Sequence, residues 1–471
     1  MDSATAPAPQ SGDDVPNFLM LDQIPVNYVQ QLETDLLEPV VFSQGSATSD
    51  GFARFTLQNK GFLHSHSKLF MSLKVTATND GCFNAPHIGI AQVIKKAVLK
   101  IGNKTINELD SWRGLHAIKS SLITSENNHE REMYMTGRLV SHDYNYLLGS
   151  RFDAAGYGLE TSVEPIWDGS VPEQDLNVPG WMQNDASAPD QAPSFQIDLS
   201  DLFPFLKVNQ LPLYMIDEPI NIELTFHPTV KQRIQIESGD AANVPVEIVR
   251  DELKFCADYV FYGATDEMER YAQRNPALNF SFVDYRLVEH STTQSALAGS
   301  VVRNLGMANR LVPRILTTLV ETGVDEASIL GETNANAPQI NASGVADSTL
   351  RYNVKYNDRF EYTSAIDSTA RLFGQLTNSE GAPFITRQEY ADEGSVAGGL
   401  NEKFEGYQQG TDLSGKFFYL GTRLTNGRVG QRGIDLYITG DFPAGVDLMR
   451  SYCEYVRVAS LKSGMFEIYN A

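Results

Sequence analysis

Few side chains in this sequence stand at spacings that could do chemistry. The nearest approach is Gly410-Thr411-Asp412-Leu413-Ser414-Gly415-Lys416, whose two glycines and lysine are set as in a phosphate-binding loop. Such a loop needs Ser or Thr after the lysine to hold magnesium, and then a helix whose first amides face the phosphates. Here Phe417 takes the hydroxyl position and Phe418-Tyr419-Leu420 reads as strand, so a hairpin loop is the better account. His64-Ser65-His66 could turn two imidazoles to one side of a strand, but a metal needs further ligands brought in by folding. Hydrogen-bonded histidines at a strand entrance are the plainer expectation. Cys82, Cys256 and Cys453 are odd in number and far apart, which suits neither a disulfide scaffold nor a zinc site. They are expected as reduced, mostly buried thiols in a cytosolic setting.

No His-Glu-x-x-His, Gly-x-Ser-x-Gly, Cys-x-x-Cys or Gly-x-Gly-x-x-Gly string occurs. With 59 Asp and Glu, some carboxylate pair suited to glycoside cleavage is always available, so that pairing discriminates nothing. The Asn-x-Ser/Thr strings at Asn103, Asn279 and Asn341 mean little without a secretion signal, and the N-terminus carries neither a basic region nor an apolar one. No catalytic, cofactor-binding or metal residue is therefore named, no cofactor is expected, and a building block or binder is expected rather than an enzyme.

The elements around these residues are strands. The chain has 471 residues, enough for two ordinary domains, and 42% hydrophobic with 10% aromatic side chains describes a globular protein. Its net charge of −22 argues against gripping nucleic acid or anionic lipid through a general basic surface, and no apolar run nears the ~20 residues that span a bilayer. Period-two alternation runs through Ile220, Ile222, Leu224 and Phe226, and through Leu69 to Ala77. It recurs at Ala97 to Ile101 before a Gly102-Asn103 turn, at Phe195 to Leu199, and at Phe255 to Phe261, with residues 50–57 opening the set. A second set starts at Leu278, Phe280 and Phe282, passes Tyr352 to Tyr356 and Ile434 to Ile438, and closes from Tyr452 through Met465 to Tyr469. Helical text is scarce: Asp110 or Ser111 could cap a helix through Trp112 and Leu115, and Ser200 a short one through Leu202 and Phe205. Thr265 to Arg274 carries charges that oppose the helix dipole, and Pro276 stops it.

Four parts follow: an N-terminal arm at 1–17, a first domain at 18–263, a linker helix at 264–276 and a second domain at 277–471. The arm is poor in apolar side chains, so it should be mobile alone, and residues 1–53 hold no Lys or Arg, which excludes a polycationic genome-binding tail. From Phe18 onward, FLMLDQIPVNYVQQL could dock on a neighbouring subunit or simply enter an ordinary strand. Residues 143–192 read as one long irregular segment with nine acids against Arg151 alone, and 325–348 and 376–412 are rich in Gly, Asn, Ala and Ser. Connections of that length usually carry function or lack order; Trp167 and Trp181 argue for folding in the first.

The order of elements resembles the double jelly-roll major capsid proteins of double-stranded DNA viruses, most of all those of polinton-like viruses and virophages. The likeness rests on NKGFLHSHSKLFMSLKVTA from Asn59, VIKKAVLKIGNKTINELD from Val93, FQIDLSDLFPFL from Phe195 and YCEYVRVASLKSG from Tyr452. It implies an all-β chain of two consecutive eight-stranded antiparallel jelly rolls with long inter-strand loops and a few short helices. It further implies a homotrimeric, pseudo-hexagonal capsomer of an icosahedral shell, made in the host cell and located in the virion. Its partners would be its own copies and penton and other minor capsid proteins, with no direct sequence-specific binding of nucleic acid. The interface residues are not readable from this likeness. A jelly-roll carbohydrate-binding protein or glycoside hydrolase, and a virion fibre protein, are the alternatives.

Overall fold

A computed structural model describes residues 29–76, 80–83, 89–121, 135–137, 181–184, 194–228, 246–262, 277–291, 300–321, 351–366, 371, 374–375, 419–439 and 446–470. The arm at 1–17, the helix at 264–276, the Gly410–Lys416 loop and most of the three long connections lie outside them.

Strands dominate, and every pairing between them is antiparallel. Ile220–Phe226 buries Ile220, Ile222, Leu224 and Phe226 and leaves the residues between them partly exposed, which is what alternation predicts for a sheet wet on one face. In residues 29–262 it lies in a sheet ordered Val41–Ser43, Gly51–Leu57, Ile220–Phe226, Ile94–Ile101, Lys104–Asp110. A second sheet is built on Val29–Leu37, Lys254–Tyr262, Lys68–Val75 and Ser194–Asp198, with Phe62–Leu63, Leu211–Pro212 and Val246–Ile248 added. Phe55 of one sheet meets Phe255 of the other, ring centroids 6.0 Å apart, so the two sheets face each other across a shared core.

Residues 278–470 repeat the plan. Leu278–Ser291, Val446–Lys462, Arg314–Glu321 and Tyr419–Arg423 make one sheet, joined by Met465–Asn470. Ser300–Gly306, Ile434–Thr439, Arg351–Tyr356 and Arg359–Phe360 make the other. The buried Tyr352 hydroxyl and Thr422 Oγ1 hydrogen-bond between these two sheets. In both halves the chain order across the main sheets is the same: first strand, last, second, third. Among the described residues, no strand of one half pairs with a strand of the other.

Several sequence expectations change in detail. Val29–Leu37 is a strand that pairs with Lys254–Tyr262 of its own chain, and residues 18–28 lie outside the described residues. Within the segment read as irregular, Trp181–Asn184 is a strand against Asp80–Phe83. Ser200 is no cap: it lies inside the helix Leu199–Leu202, whose N-cap is Asp198, and a second helix, Pro204–Val208, begins at the proline whose fixed φ suits a first turn.

Gly433 is held to glycine by sterics. Gly433 has φ 76°, and an added Cβ would strike the backbone carbonyl of Gly306, at the bulge where Ser300–Gly306 slips register on Ile434–Thr439. Gly433→Ala is expected to cost about 1–3 kcal/mol, read as a lowered urea midpoint. Gly374→Ala, with nothing within 4 Å of the new methyl, is the control.

Candidate functional site

The most elaborate arrangement of polar side chains is the seam between the halves. The first half contributes strand Lys104–Asp110 and the helices Trp112–Ser121 and Pro204–Val208; the second contributes Leu278–Ser291 and Val446–Lys462. These two strands of 14 and 17 residues run in register without a bulge. Length allows them to build the second half and also reach the first.

Asp284 stands at the centre, 2% exposed. Its Oδ1 accepts from Asn107 Nδ2 at 3.2 Å and from the Tyr285 amide at 3.0 Å. Its Oδ2 accepts from Arg457 at 2.7 Å and from the Tyr455 hydroxyl at 3.1 Å. Burial pushes the Asp284 carboxyl above its ordinary value; Arg457, Asn107 and the Tyr285 amide pull it back only in part. The same guanidinium donates to the Ile106 carbonyl at 2.9 Å, so Arg457 ties its own half to the other. Asn107 is saturated on both sides, because its Oδ1 accepts from the Phe205 amide at 3.1 Å.

Around this centre the seam is apolar, then polar again. Phe205 packs on Phe280 and Phe282 at centroid distances of 5.9 and 5.0 Å, the second edge-on. Asn209 Nδ2 donates to the Ser281 carbonyl at 3.2 Å. On the helix side, Tyr452 donates to the Ser111 carbonyl at 3.4 Å, and Gly114 is so close to the Tyr452 hydroxyl that a Cβ would collide with it. Lys119 bonds the Tyr285 hydroxyl, which bonds Glu454, which Arg314 Nε meets at 2.9 Å. At the far end, the Asp217 amide donates to the Gly464 carbonyl at 3.0 Å. Asn107, Arg457, Asn209, Tyr452, Lys119 and Asp217 each bond across the seam, and the other contacts brace these groups from within their own half. Nothing in the seam offers a nucleophile beside a base and an open space for substrate.

The residues singled out from sequence are elsewhere. His64 and His66 do meet, with ring centroids 5.0 Å apart, but in the turn before Lys68–Val75 rather than along a strand face. The His66 amide donates to His64 Nδ1 at 3.1 Å, and burial, with His66 beside it, lowers the His64 pKa. Among the described residues, no three His, Cys, Asp or Glu side chains gather as a metal site would need. A cavity of about 290 Å³ is lined by Asn309, Asn357, Asn426, Arg428, Val429 and Gly430, with no acid or base positioned for proton transfer. Cys256 and Cys453 are free buried thiols, and burial pushes Cys453 from 9.0 up to about 12. Since only the thiolate attacks, a thiol probe at pH 8 should label Cys453 at least about a hundredfold more slowly in the native than in the urea-unfolded chain.

No family profile and no curated protein matches this chain. Solved structures do. A PBCV-1 virus capsid structure superposes with a TM-score of 0.56 at 11% identity, covering 94% of this chain and 98% of that one. The Sputnik virophage structure gives 0.56 at 9% identity, covering 100% and 93%. PBCV-1 VP54 fitted into a reconstruction of Sputnik gives 0.53 at 12%, covering 94% and 98%. The fold is the double jelly roll. In that fold each half is one roll, and the shared strand order of the halves is its signature here. At 9–12% identity the path of the backbone is common while side chains are not, so the Asp284 seam is described from this chain alone.

Proposed function

We propose that this chain is the major capsid protein of a double-stranded DNA virus, a structural subunit without catalytic activity, located in the virion shell. The observation that carries the reading is the match over 94–100% of this chain, both rolls included, to the PBCV-1 capsid and Sputnik structures. The seam supports it physically. Two rolls locked by buried charge and aromatic packing form one rigid tile, which a shell needs and a carbohydrate-binding groove or a fibre does not.

In this reading three copies form a pseudo-hexagonal capsomer, since three pairs of rolls give six. The copies pack with one another and with penton and minor capsid proteins. The division between rolls falls at 264–276, as strands up to Tyr262 pair among themselves and strands from Leu278 onward do likewise. The connections at 143–192, 325–348 and 376–412 build the outward-facing towers, and the arm at 1–17 reaches a neighbour. The absence of Lys and Arg before Arg54 fits a wall that confines DNA without neutralising it.

Light scattering of the purified full chain at micromolar concentration, with negative-stain images, tests this. A three-chain mass and hexagonal outlines are expected. A monomer throughout, or turnover of a glycan abolished by one Asp or Glu substitution, would overturn it.

A further inference from the structure

The internal repeat leaves one pair of surfaces used and its equivalent pair bare. Strand order makes Val29–Leu37 and Lys254–Tyr262 of the first roll the counterparts of Leu278–Ser291 and Val446–Lys462 of the second. It likewise makes the hairpin Arg351–Tyr356 and Arg359–Phe360 the counterpart of Ile94–Ile101 and Lys104–Asp110. Within the chain, the edge strand Lys104–Asp110 and the helix after it lie on Leu278–Ser291 and Val446–Lys462, through Arg457, Tyr452 and Lys119.

The counterpart face carries Leu32 and Leu36, 60% and 61% exposed, on an edge strand held firmly in place. Thr34 donates to Asp258 at 2.6 Å, and Lys60 pairs with Glu33 at 2.8 Å and Asp35 at 2.9 Å. Val40 continues the apolar row at 63% exposed. The counterpart edge carries Phe360, 51% exposed, its ring edge-on to Tyr437 at 5.1 Å. Large apolar side chains left bare on a rigid strand mark a binding face. The charges are complementary as well: Asp258, opposite Thr34, lies on the side of Leu32 and Leu36, while Lys355, opposite Phe360, and Arg351 lie on the side of Phe360.

We infer that the Leu32–Leu36 face of one copy seats the Arg359–Phe360 edge of a second copy, repeating between chains the packing that joins the rolls within a chain. The contact is head-to-tail, so each copy offers both surfaces and a ring can close. The inference rests on the self-assembling reading above and adds the surfaces that do the assembling.

Two experiments on the full chain test it. Leu32→Asp with Leu36→Asp removes two apolar anchors from exposed positions, so folding should persist by circular dichroism and melting. The concentration for half-assembly should rise about a hundredfold or more, and added salt should weaken wild-type assembly. Separately, Phe360→p-benzoylphenylalanine, irradiated in the oligomer, should give an inter-chain adduct mapping to residues 29–41 or 254–262. An oligomer that survives the double substitution unchanged, or adducts that map elsewhere, overturns this inference and leaves the capsid reading intact. A wild-type chain that stays monomeric overturns both.

Discussion

Arg457→Met should cost about 3–5 kcal/mol at neutral pH, the range for breaking a buried ion pair from one side. The loss is large because the partner stays behind. Asp284 is 2% exposed, and without Arg457 its Oδ2 keeps only the Tyr455 hydroxyl. The pH dependence follows from the sign of the shift. Burial already raises the Asp284 pKa above 3.8, and loss of the cation raises it further. A carboxyl whose folded-state pKa is raised contributes its full stability below the unfolded value and loses it as pH rises through the folded one. The deficit of Arg457→Met should therefore be smallest near pH 3.8 and grow toward neutrality. Urea midpoints of wild type and variant at pH 4 and pH 7 read it directly, and an equal deficit at both would remove Asp284 from the explanation. Adding Asp284→Leu should recover part of the loss, since a charge that is absent needs no partner.

Phe205→Ala should cost a comparable 3–5 kcal/mol, but through volume instead of charge. The ring is wholly buried, and it contacts Phe280 and Phe282 of the other roll. Its removal opens a void that belongs to neither roll alone. Both rolls keep their own cores, so heat unfolding should split from one transition into two as the seam weakens. Scanning calorimetry at pH 7 shows whether it does; a single transition at the wild-type temperature would mean that the aromatic contact contributes nothing.

The two rolls were legible where one face of a strand is dry and the other wet. Ile220–Phe226 keeps that contrast at every position. Arg314–Glu321 does not: Ile315, Leu316 and Thr317 are buried in succession, so both faces of this strand are covered there. Period two disappears there, and the strand went unread. Ser300–Gly306 escaped for another reason, the register slip between Asn304 and Gly306. The helix at Trp112 was readable from its cap region, although Ser111 sits at φ 50° and offers its carbonyl to the amides of Gly114 and Leu115.

The seam was not legible at all. Asn107 and Asp284 are 177 residues apart and Asp284 and Arg457 173, and each stands in strand text where a polar residue normally faces water. Only folding reveals that Asp284, midway along one long strand, and Arg457 on its neighbour meet Asn107 and Ile106 of the first roll. No local pattern distinguishes Arg457 from Arg450, which meets Glu289 at 2.7 Å on the surface side of the same strand.

The same strand order has a kinetic consequence. In each roll the earliest strand is stitched to one of the latest, Val29–Leu37 to Lys254–Tyr262 and Leu278–Ser291 to Val446–Lys462. Neither sheet can close until almost all of its sequence has left the ribosome, and loops this wide make closure slow. Leu278–Ser291 must wait with its aromatic residues unsheltered during synthesis, a period when chaperone capture competes with premature aggregation. Because Arg457 arrives on that late strand, the two rolls lock together only once nearly all of the second roll has been made.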